Sequence, residues 1–575
     1  MNLFTKTMNI STIKKMLAFA WVMLISVSAF AQQDKTGFLV LAPDRGFMGN
    51  QEIRDLHAGF DEHYTTSLAF ITPEETDRFL AEAVKKLQNE DVSKLVVIPM
   101  FLSDNHPLYK LGLERLNNGN LTNLPIEFAE PMSQNYLVGE ILADRITELS
   151  QHPEKEALVL VTTGASTEEE KEAIKADLEQ VVHMNHGRFA FNSEAVVVFG
   201  NEGARSENSQ KKLEKNLSEI KNKGFTPVVI PFGLTQKLDG MMAFSSRIQP
   251  LTYKYGALYN GKDLTPHKDV ELWLAKQANS YLPVTKENLG VVFMPHGSDY
   301  NWNRTMMDAI AELHNEYKIE YAFSMGDADL IEQAARKLEK RGATAITVLR
   351  IFSLESSFKK STEFLLGLRK DIGRNAHMMH GAGMPPRIRS GSIFYTTGGL
   401  EDSPLFAEAL LDRAIALSEN PEKETIILVG HGTRTEEGNT RWLENLKSIT
   451  EHMEKTAREK GYQFRGFKYE NWREDWPKLR EKRIKNVRSM VKEAGKDGGT
   501  AIVIPARTTQ GGHARRWLGD LEFRHDGEGF APHPLFVQWV EGLIQESLDY
   551  FNNGKNVPTG VSHSPTTGAE RHPSH

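Results

Sequence analysis

The chain has 575 residues, of which 40% are hydrophobic and 25% are charged. This length is several times that of an average domain, so we expect several domains, each large enough to bury a core. The formal net charge of −7 argues against a nucleic-acid-binding protein, because such proteins carry a basic excess. The sequence has no cysteine, which excludes disulfides and thiolate ligands. Any bound metal must therefore be held by histidines and carboxylates.

The first 31 residues have the pattern of a signal peptide. Lys14 and Lys15 precede an apolar run that ends in the small-residue pattern A-F-A at 29–31. A membrane anchor is the alternative, but the run is short for a membrane-spanning helix, which needs about 20 apolar residues. We expect a periplasmic or secreted protein with no stable membrane anchor after signal cleavage. Residues 553–575 are rich in Gly, Pro, Ser and Thr, which predicts a disordered tail.

Between these ends, one pattern occurs four times, in what we call segments one to four. An apolar strand ends in a small polar turn, and an amphipathic stretch of helical period follows. A second strand, a second helix and a third strand complete each segment. The four opening strands are GFLVLAPDRG (37–46), ALVLVTTGAS (157–166), LGVVFMPHGS (289–298) and TIILVGHGT (425–433).

Apolar strands that alternate with helices predict an α/β fold of parallel sheets with helices on both faces. We expect two bilobal domains, each built from two related half-domains of this kind. Ligands of such folds bind beyond the carboxyl ends of the strands, so the residues at the strand tips are the important ones. The predicted domain limits are 37–285, with halves 37–150 and 155–285, and 288–552, with halves 288–420 and 424–552.

Only segment four has histidines at the tips of both its first and its third strand. These are His431 and His513. Segment one has Asp44 and His106 at the two positions, and segment three has His296 at the first and no histidine at the second. The two positions are 62 residues apart in both segments, from 44 to 106 and from 296 to 358. The equal spacing supports the alignment of the repeats.

A pair of neutral imidazoles suits a borderline divalent ion such as Co²⁺, Ni²⁺, Zn²⁺ or Fe²⁺. A carboxylate would complete the site. Glu470, at the tip of the second strand, is the expected residue, with Glu474 and Asp475 behind it. In the alternative interpretation, both histidines are loop residues bonded to backbone or water. Their recurrence at equivalent tips of one segment favours a metal site with His431, His513 and Glu470 as ligands.

The strand-H-G-[ST] opening, the third strand VVIPMFLSDNH and the tandem half-domains together resemble the sirohydrochlorin cobaltochelatase family of class II chelatases, in a tandem duplicated form. The similarity covers about residues 37–552 and is weak in segment two. Members insert a divalent metal into a modified tetrapyrrole without ATP, a step of cobalamin biosynthesis. The resemblance therefore implies that cobalt, or alternatively nickel or iron, is a substrate together with a sirohydrochlorin-like tetrapyrrole.

The resemblance also assigns roles to residues. His431 and His513 match the two family histidines, which bind the metal and accept pyrrole protons, and Glu470 is a weaker match to the acidic residue. His296 matches the first histidine of the partner half-domain. Because the tetrapyrrole carries many carboxylates, we expect arginines near the tips to bind it, unless they are ordinary surface charges. These arginines are Arg434, Arg507, Arg515 and Arg516.

Two departures from the family pattern leave an alternative open. Segment one has P-D-R-G in place of the H-G opening, and segment two has Thr163 and no histidine, so residues 37–285 look degenerate as a catalyst. Familiar cobaltochelatases are mostly cytoplasmic, whereas this chain carries an export signal. The alternative is a non-catalytic periplasmic metal- or tetrapyrrole-binding protein derived from a chelatase. Metal-uptake or tetrapyrrole-transport proteins are then candidate partners.

Overall fold

The computed structural model describes residues 35–119, 121–201, 203–372, 384–511 and 513–554. The predicted signal peptide lies outside these ranges. The predicted tail does too, except for residues 553 and 554, which close the last helix. Within the described ranges, no helix is both long enough and apolar enough to span a membrane.

In the described part of the chain, each segment forms one parallel sheet, four in all. In every sheet the first strand of the segment lies between the second and the third. This common order confirms the α/β class with parallel sheets that the alternating strands and helices predict. The sheets of segments one and three each have a fourth strand beside the third, which the sequence pattern did not predict.

The first two segments occupy the chain up to residue 279. Segment one consists of β1 (Thr36–Pro43), α1 (Phe47–Asp61), β2 (Thr66–Ile71), α2 (Thr76–Gln88), β3 (Lys94–Pro99), α3 (Pro107–Asn118), β4 (Ile126–Phe128) and α4 (Tyr136–Leu149). Segment two consists of β5 (Glu156–Ala165), α5 (Glu168–His183), β6 (Glu194–Gly200), α6 (Glu207–Asn222), β7 (Thr226–Pro231), the hairpin strands β8 (Leu238–Asp239) and β9 (Met242–Ala243), α7 (Phe244–Lys254) and α8 (Lys268–Asn279).

The last two segments follow the same plan. Segment three consists of β10 (Leu289–Pro295), α9 (Tyr300–Ala309), β11 (Lys318–Tyr321), α10 (Ala328–Lys340), β12 (Ala345–Ile351), α11 (Lys359–Leu365), β13 (Ile393–Gly398) and α12 (Pro404–Leu417). Segment four consists of β14 (Glu424–Gly430), α13 (Glu436–Glu459), β15 (Gly466–Asn471), α14 (Pro477–Ala494), β16 (Thr500–Ala506), α15 (Ala514–Leu518) and α16 (Pro534–Asn553).

The central strand β14 shows why these strands are apolar along most of their length. Ile426 and Leu428 belong to the hydrophobic cluster formed with α12, α13 and α16. Ile427 and Val429 point the other way and pack with α14. Since side chains alternate between the two faces of a strand and helices cover both faces, both sets must be apolar.

The hydrophobic cores join the segments in pairs. One cluster contains residues of β1 and β5 together with α4 and α8, and another contains residues of β10 and β14 together with α12 and α16. The two pairs meet where α4 and α8 contact residues 387–392. There the Tyr136 hydroxyl donates to the carbonyl of Ile388 (3.0 Å), and the Asn279 amide donates to the carbonyl of Gly391 (2.9 Å). The exact domain limits stay a prediction.

One position in each segment immediately precedes the helix that follows the third strand. It is occupied by His106, Ala243, Phe358 and His513, in chain order. The Nδ1 atom of His106 accepts a hydrogen bond from the Leu108 amide (3.2 Å) and so caps α3. The side chain of His513 makes no such cap. The two histidines therefore share a position in the repeat but differ in what their rings do.

The ring of His106 is tightly packed. A Cβ atom added at Gly164 would come within 2.3 Å of its Nε2 atom. Burial lowers the pKa of His106 to about 3, and the charges of Arg45 and Lys237 act in the same direction. His106 therefore stays neutral while it caps α3, and it serves the fold of segment one.

We expect this histidine to make the protein less stable in acid. The unfolded chain takes up a proton near pH 6.5, whereas the folded chain does so only near pH 3, so the free energy of unfolding should fall by up to about 1.4 kcal/mol per pH unit between these values. The variant His106→Asn keeps an acceptor for the Leu108 amide but cannot titrate, so its stability should fall less steeply.

Urea unfolding at about pH 6.5 and about pH 4.5 measures the two slopes. The exposed His63 provides a matched control, and His63→Asn should keep the wild-type slope. Equal slopes in wild type and His106→Asn would contradict the assignment.

Candidate functional site

His431 is presented at the carboxyl end of β14 by a turn that only glycine can form. Gly432 has a φ of +85°, and a Cβ atom there would lie 2.7 Å from the Asn471 side-chain oxygen. A Cβ atom at Gly430 would lie 2.5 Å from the indole nitrogen of Trp442. Because neither glycine has a side chain, the backbone on both sides of His431 can pack against Asn471 and Trp442. This packing fixes the position of His431.

A backbone hydrogen bond sets the orientation of the His431 ring. Its Nδ1 atom lies 2.8 Å from the carbonyl oxygen of Gly432, which can only accept, so Nδ1 carries the hydrogen. In the neutral ring, the lone pair is then on Nε2, as is usual for histidines that bind metals. This Nε2 atom lies 3.2 Å from an oxygen of Glu474 and 3.1 Å from an oxygen of Asp475. These three side chains are grouped closely enough to hold a metal ion.

His513 approaches the same carboxylate from another side. Its Nε2 atom lies 3.9 Å from the second oxygen of Glu474, and its ring packs on Trp517 with 4.3 Å between centroids. The structure therefore brings together the two histidines that the repeat pattern singled out. They face the two oxygens of one side chain.

Glu474 is buried, and its position is fixed by an arginine. The Nη1 atom of Arg507 donates to both of its oxygens, at 2.9 and 3.1 Å. The backbone amide of Glu474 also donates to the carbonyl of His431 (3.4 Å). Arg507, which the resemblance suggested for substrate carboxylates, is thus engaged with a carboxylate of the protein itself.

The structure does not bring Glu470, the expected acidic ligand, to the histidines. Its two oxygens accept hydrogen bonds from Arg483 (2.9 Å) and Asn486 (2.8 Å), both on α14. Because side chains alternate along a strand, β15 directs Glu470 to the face that α14 covers. Glu474 takes the place expected for Glu470, since it lies beyond the end of the strand.

Arg473 is a further site residue, which the sequence did not indicate. It is buried, has a φ of +49°, and donates from Nε to the carbonyl of Thr433 (2.8 Å). It also donates to the carboxylate of Glu436 and to the carbonyl of Arg434. One guanidinium group thus holds the loop that follows His431. The sequence offers no pattern that would have revealed this role.

His296 stands at the equivalent strand tip of segment three. It follows β10 as His431 follows β14, and its Nδ1 atom likewise donates to the next carbonyl, that of Gly297 (2.5 Å). Burial lowers the pKa of His296; the hydrogen bond to Gly297 opposes this shift, whereas Arg507 and His431 add to it.

The remaining arginines near the tips are free. Among the described residues, the side chains of Arg434, Arg515 and Arg516 have no hydrogen-bond or ion-pair partner, and all three are exposed. Arg434 is three residues from His431, and the other two directly follow the residue after His513. They are available to an anionic ligand, and their role stays a prediction.

The equivalent cleft between segments one and two is filled. Asp44 stands where segments three and four carry histidine, and its carboxylate accepts from the side chain of Asn50 (2.7 Å). The buried Arg45 donates to the carbonyl of Thr235 (2.7 Å) and to the hydroxyl of Thr163 (3.3 Å). Thr163, expected at the strand tip, lies inside β5. The guanidinium of Arg45 thus bridges the two segments where an open site would be.

No family model and no curated protein matches the chain. Solved structures resemble parts of it. A multi-domain protein from Deinococcus radiodurans, described as similar to chelatases with two additional novel domains, is 18% identical with a TM-score of 0.31. The match covers 45% of this chain and 55% of that one, so the chain spans about half of that protein.

Two structures of the sirohydrochlorin chelatase SirB are similar as well. SirB from Bacillus subtilis subspecies spizizenii in complex with cobalt is 13% identical with a TM-score of 0.30, over 40% of this chain and 90% of that one. SirB from Bacillus subtilis with Fe³⁺ is 15% identical with a TM-score of 0.32, over 43% and 95%. Similarities this distant do not establish an activity for this chain.

The geometry predicts different effects for the two glutamates. In Glu474→Gln, the charged oxygen beside His431 is lost, so binding of Co²⁺ or Ni²⁺ should weaken on the order of tenfold or more. In Glu470→Gln, the affected contacts are those with α14, so metal affinity should stay at the wild-type value even if stability falls. Isothermal titration of both variants measures this difference, and equal weakening in both would contradict the assignment of Glu474.

Proposed function

We propose that the cleft between segments three and four inserts a divalent metal, with cobalt as the first choice, into a sirohydrochlorin-like tetrapyrrole without ATP. The observation that carries this proposal is the carboxylate of Glu474 between His431 and His513. The resemblance of the strand-tip motifs to cobaltochelatases supports it independently. We also propose that the protein acts outside the cytoplasm, on the basis of the signal-peptide pattern at its N-terminus.

A metal substrate needs ligands that hold it and then release it. The Nε2 atom of His431 and the oxygens of Glu474 and Asp475 form a mixed nitrogen and oxygen set that suits Co²⁺, Ni²⁺ and Fe²⁺ alike. Asp475 is 66% exposed, so one ligand can leave easily. A set with an exposed member favours transfer of the ion over permanent storage.

Insertion also requires two proton acceptors. A tetrapyrrole that takes up a divalent ion loses its two inner N–H protons. The two negative charges left on the ring nitrogens then neutralise the two positive charges of the ion. His296 is suited to accept one of them, because burial lowers its pKa and keeps it unprotonated near neutral pH. His513, which does not cap its helix, is suited to accept the other. Arg434, Arg515 and Arg516 would bind carboxylates of the substrate.

The second candidate function is a non-catalytic metal- or tetrapyrrole-binding protein outside the cytoplasm. The filled cleft between segments one and two favours it, since Arg45 there replaces a site that a chelatase with two working clefts would keep open. Such a protein would pass its ligand to metal-uptake or tetrapyrrole-transport proteins. In the cleft between segments three and four, a binding protein would use the same metal ligands as a chelatase. The two functions therefore differ only in whether the metal is inserted into the tetrapyrrole.

A spectroscopic assay separates the two functions. The chain without residues 1–31, mixed with metal-free sirohydrochlorin and Co²⁺, should convert the absorption spectrum to that of the metallated product. The double variant His431→Ala, His513→Ala should lose this activity because both imidazoles are gone. His452→Ala is the matched control, since His452 lies on α13 beside Glu408, and it should keep the wild-type rate.

Metallation by the double variant at the wild-type rate would contradict the proposal for this cleft. If the wild type binds the tetrapyrrole but metallates it with none of Co²⁺, Ni²⁺ and Fe²⁺, the binding function is correct instead.

His296→Asn should lower kcat while leaving the affinity for metal unchanged, because His296 is assigned to proton transfer.

A further inference from the structure

A separate cavity of about 920 Å³ lies between segments two and three. One wall is the last part of α5 and the residues just after it, and the other is formed by residues 370–372 and Met384. None of the described residues that line it belongs to the cleft with His431. Its walls come from both pairs of segments, so it exists only where the pairs meet.

Two imidazoles line one wall of this cavity. His183 is the last residue of α5, and His186 follows three residues later. Their rings are nearly parallel, at 16°, with 5.4 Å between centroids. Both residues are exposed, so their ring nitrogens are accessible to a ligand from solvent.

Two thioethers line the same cavity, one on each wall. They belong to Met184 and Met384. Gly139 on α4 leaves room for the first, because a Cβ atom there would lie 3.2 Å from the Met184 sulfur. Since the chain has no cysteine, thioether sulfur is the softest donor that this protein has.

The charges around the imidazoles favour a cation. Among the lining residues that the structure describes, Glu179 and Asp371 carry negative charge and Lys370 carries positive charge. The C-terminal end of a helix, where His183 stands, is also the negative end of its dipole.

Hydrogen bonds hold the two walls at a fixed separation. The amide of Met384 donates to the carbonyl of Gly187 (3.4 Å). Arg387 donates to the carbonyls of Met184 (3.3 Å) and Lys370 (3.2 Å) and so joins both walls. The two walls that carry the histidines and methionines are therefore tied together.

We propose that this cavity is a second metal site, selective for a soft monovalent ion of the Cu⁺ type. The imidazoles of His183 and His186 and the thioethers of Met184 and Met384 are its ligands. Imidazole alone also accepts Ni²⁺ or Co²⁺, whereas thioether sulfur selects Cu⁺, so the sulfurs supply the selectivity. The site does not depend on the function proposed for the other cleft, because the two share no residue.

The test uses the full mature chain carrying His431→Ala and His513→Ala, so that the other cleft contributes nothing. Cu⁺ is offered under anaerobic reducing conditions against a chromogenic Cu⁺ chelator, and Ni²⁺ is titrated separately. Adding His183→Ala and His186→Ala should abolish retention of the copper. Adding Met184→Leu and Met384→Leu instead should weaken Cu⁺ binding on the order of tenfold or more and leave Ni²⁺ binding nearly unchanged.

The matched control is Met241→Leu with Met242→Leu, because these exposed methionines lie at the β8–β9 hairpin and not in the cavity. This control should retain Cu⁺ like its parent. Unchanged copper retention after loss of both histidines would overturn the proposal, and so would equal weakening of Cu⁺ and Ni²⁺ by the Met→Leu pair. X-ray absorption of the copper-loaded parent provides a second check, since a first shell without sulfur would also refute the site.

Discussion

The cleft between segments three and four depends on one buried carboxylate. Glu474 carries a charge away from water, which is costly unless the charge is paired and hydrogen-bonded. Arg507 meets that requirement by donating to both oxygens, and His431 and His513 then face the same group. The arginine thus holds both oxygens of the carboxylate that the two imidazoles approach.

The fold was predictable because its signal is repeated. Each central strand is buried on both faces, so its apolar run is visible in the sequence, and four copies reinforce one another. The two histidines became visible for the same reason, since His431 and His513 stand at equivalent tips of one segment. The strands β4 and β13 were missed because they lie at sheet edges outside the repeated pattern.

The acidic ligand was harder to predict because it depends on where a strand ends. Three acidic residues lie within six positions, and the choice among them is set by side-chain alternation and by the turn after β15. Glu470 still belongs to the strand and faces α14, whereas Glu474 lies beyond it. The role of Arg473 could not be inferred at all, because its three partners come together only in the folded loop.

The exchange of glycine for arginine at one turn has a consequence for the whole molecule. Arg45 stands where the last segment has Gly432, and it bridges segments one and two. In a symmetric homodimer, every substitution appears in both subunits, so a site in one subunit cannot change while the same site in the other subunit is preserved. Because this chain joins all four segments covalently, its two clefts can differ. Every molecule therefore has one cleft filled by Arg45 and one cleft that contains His431.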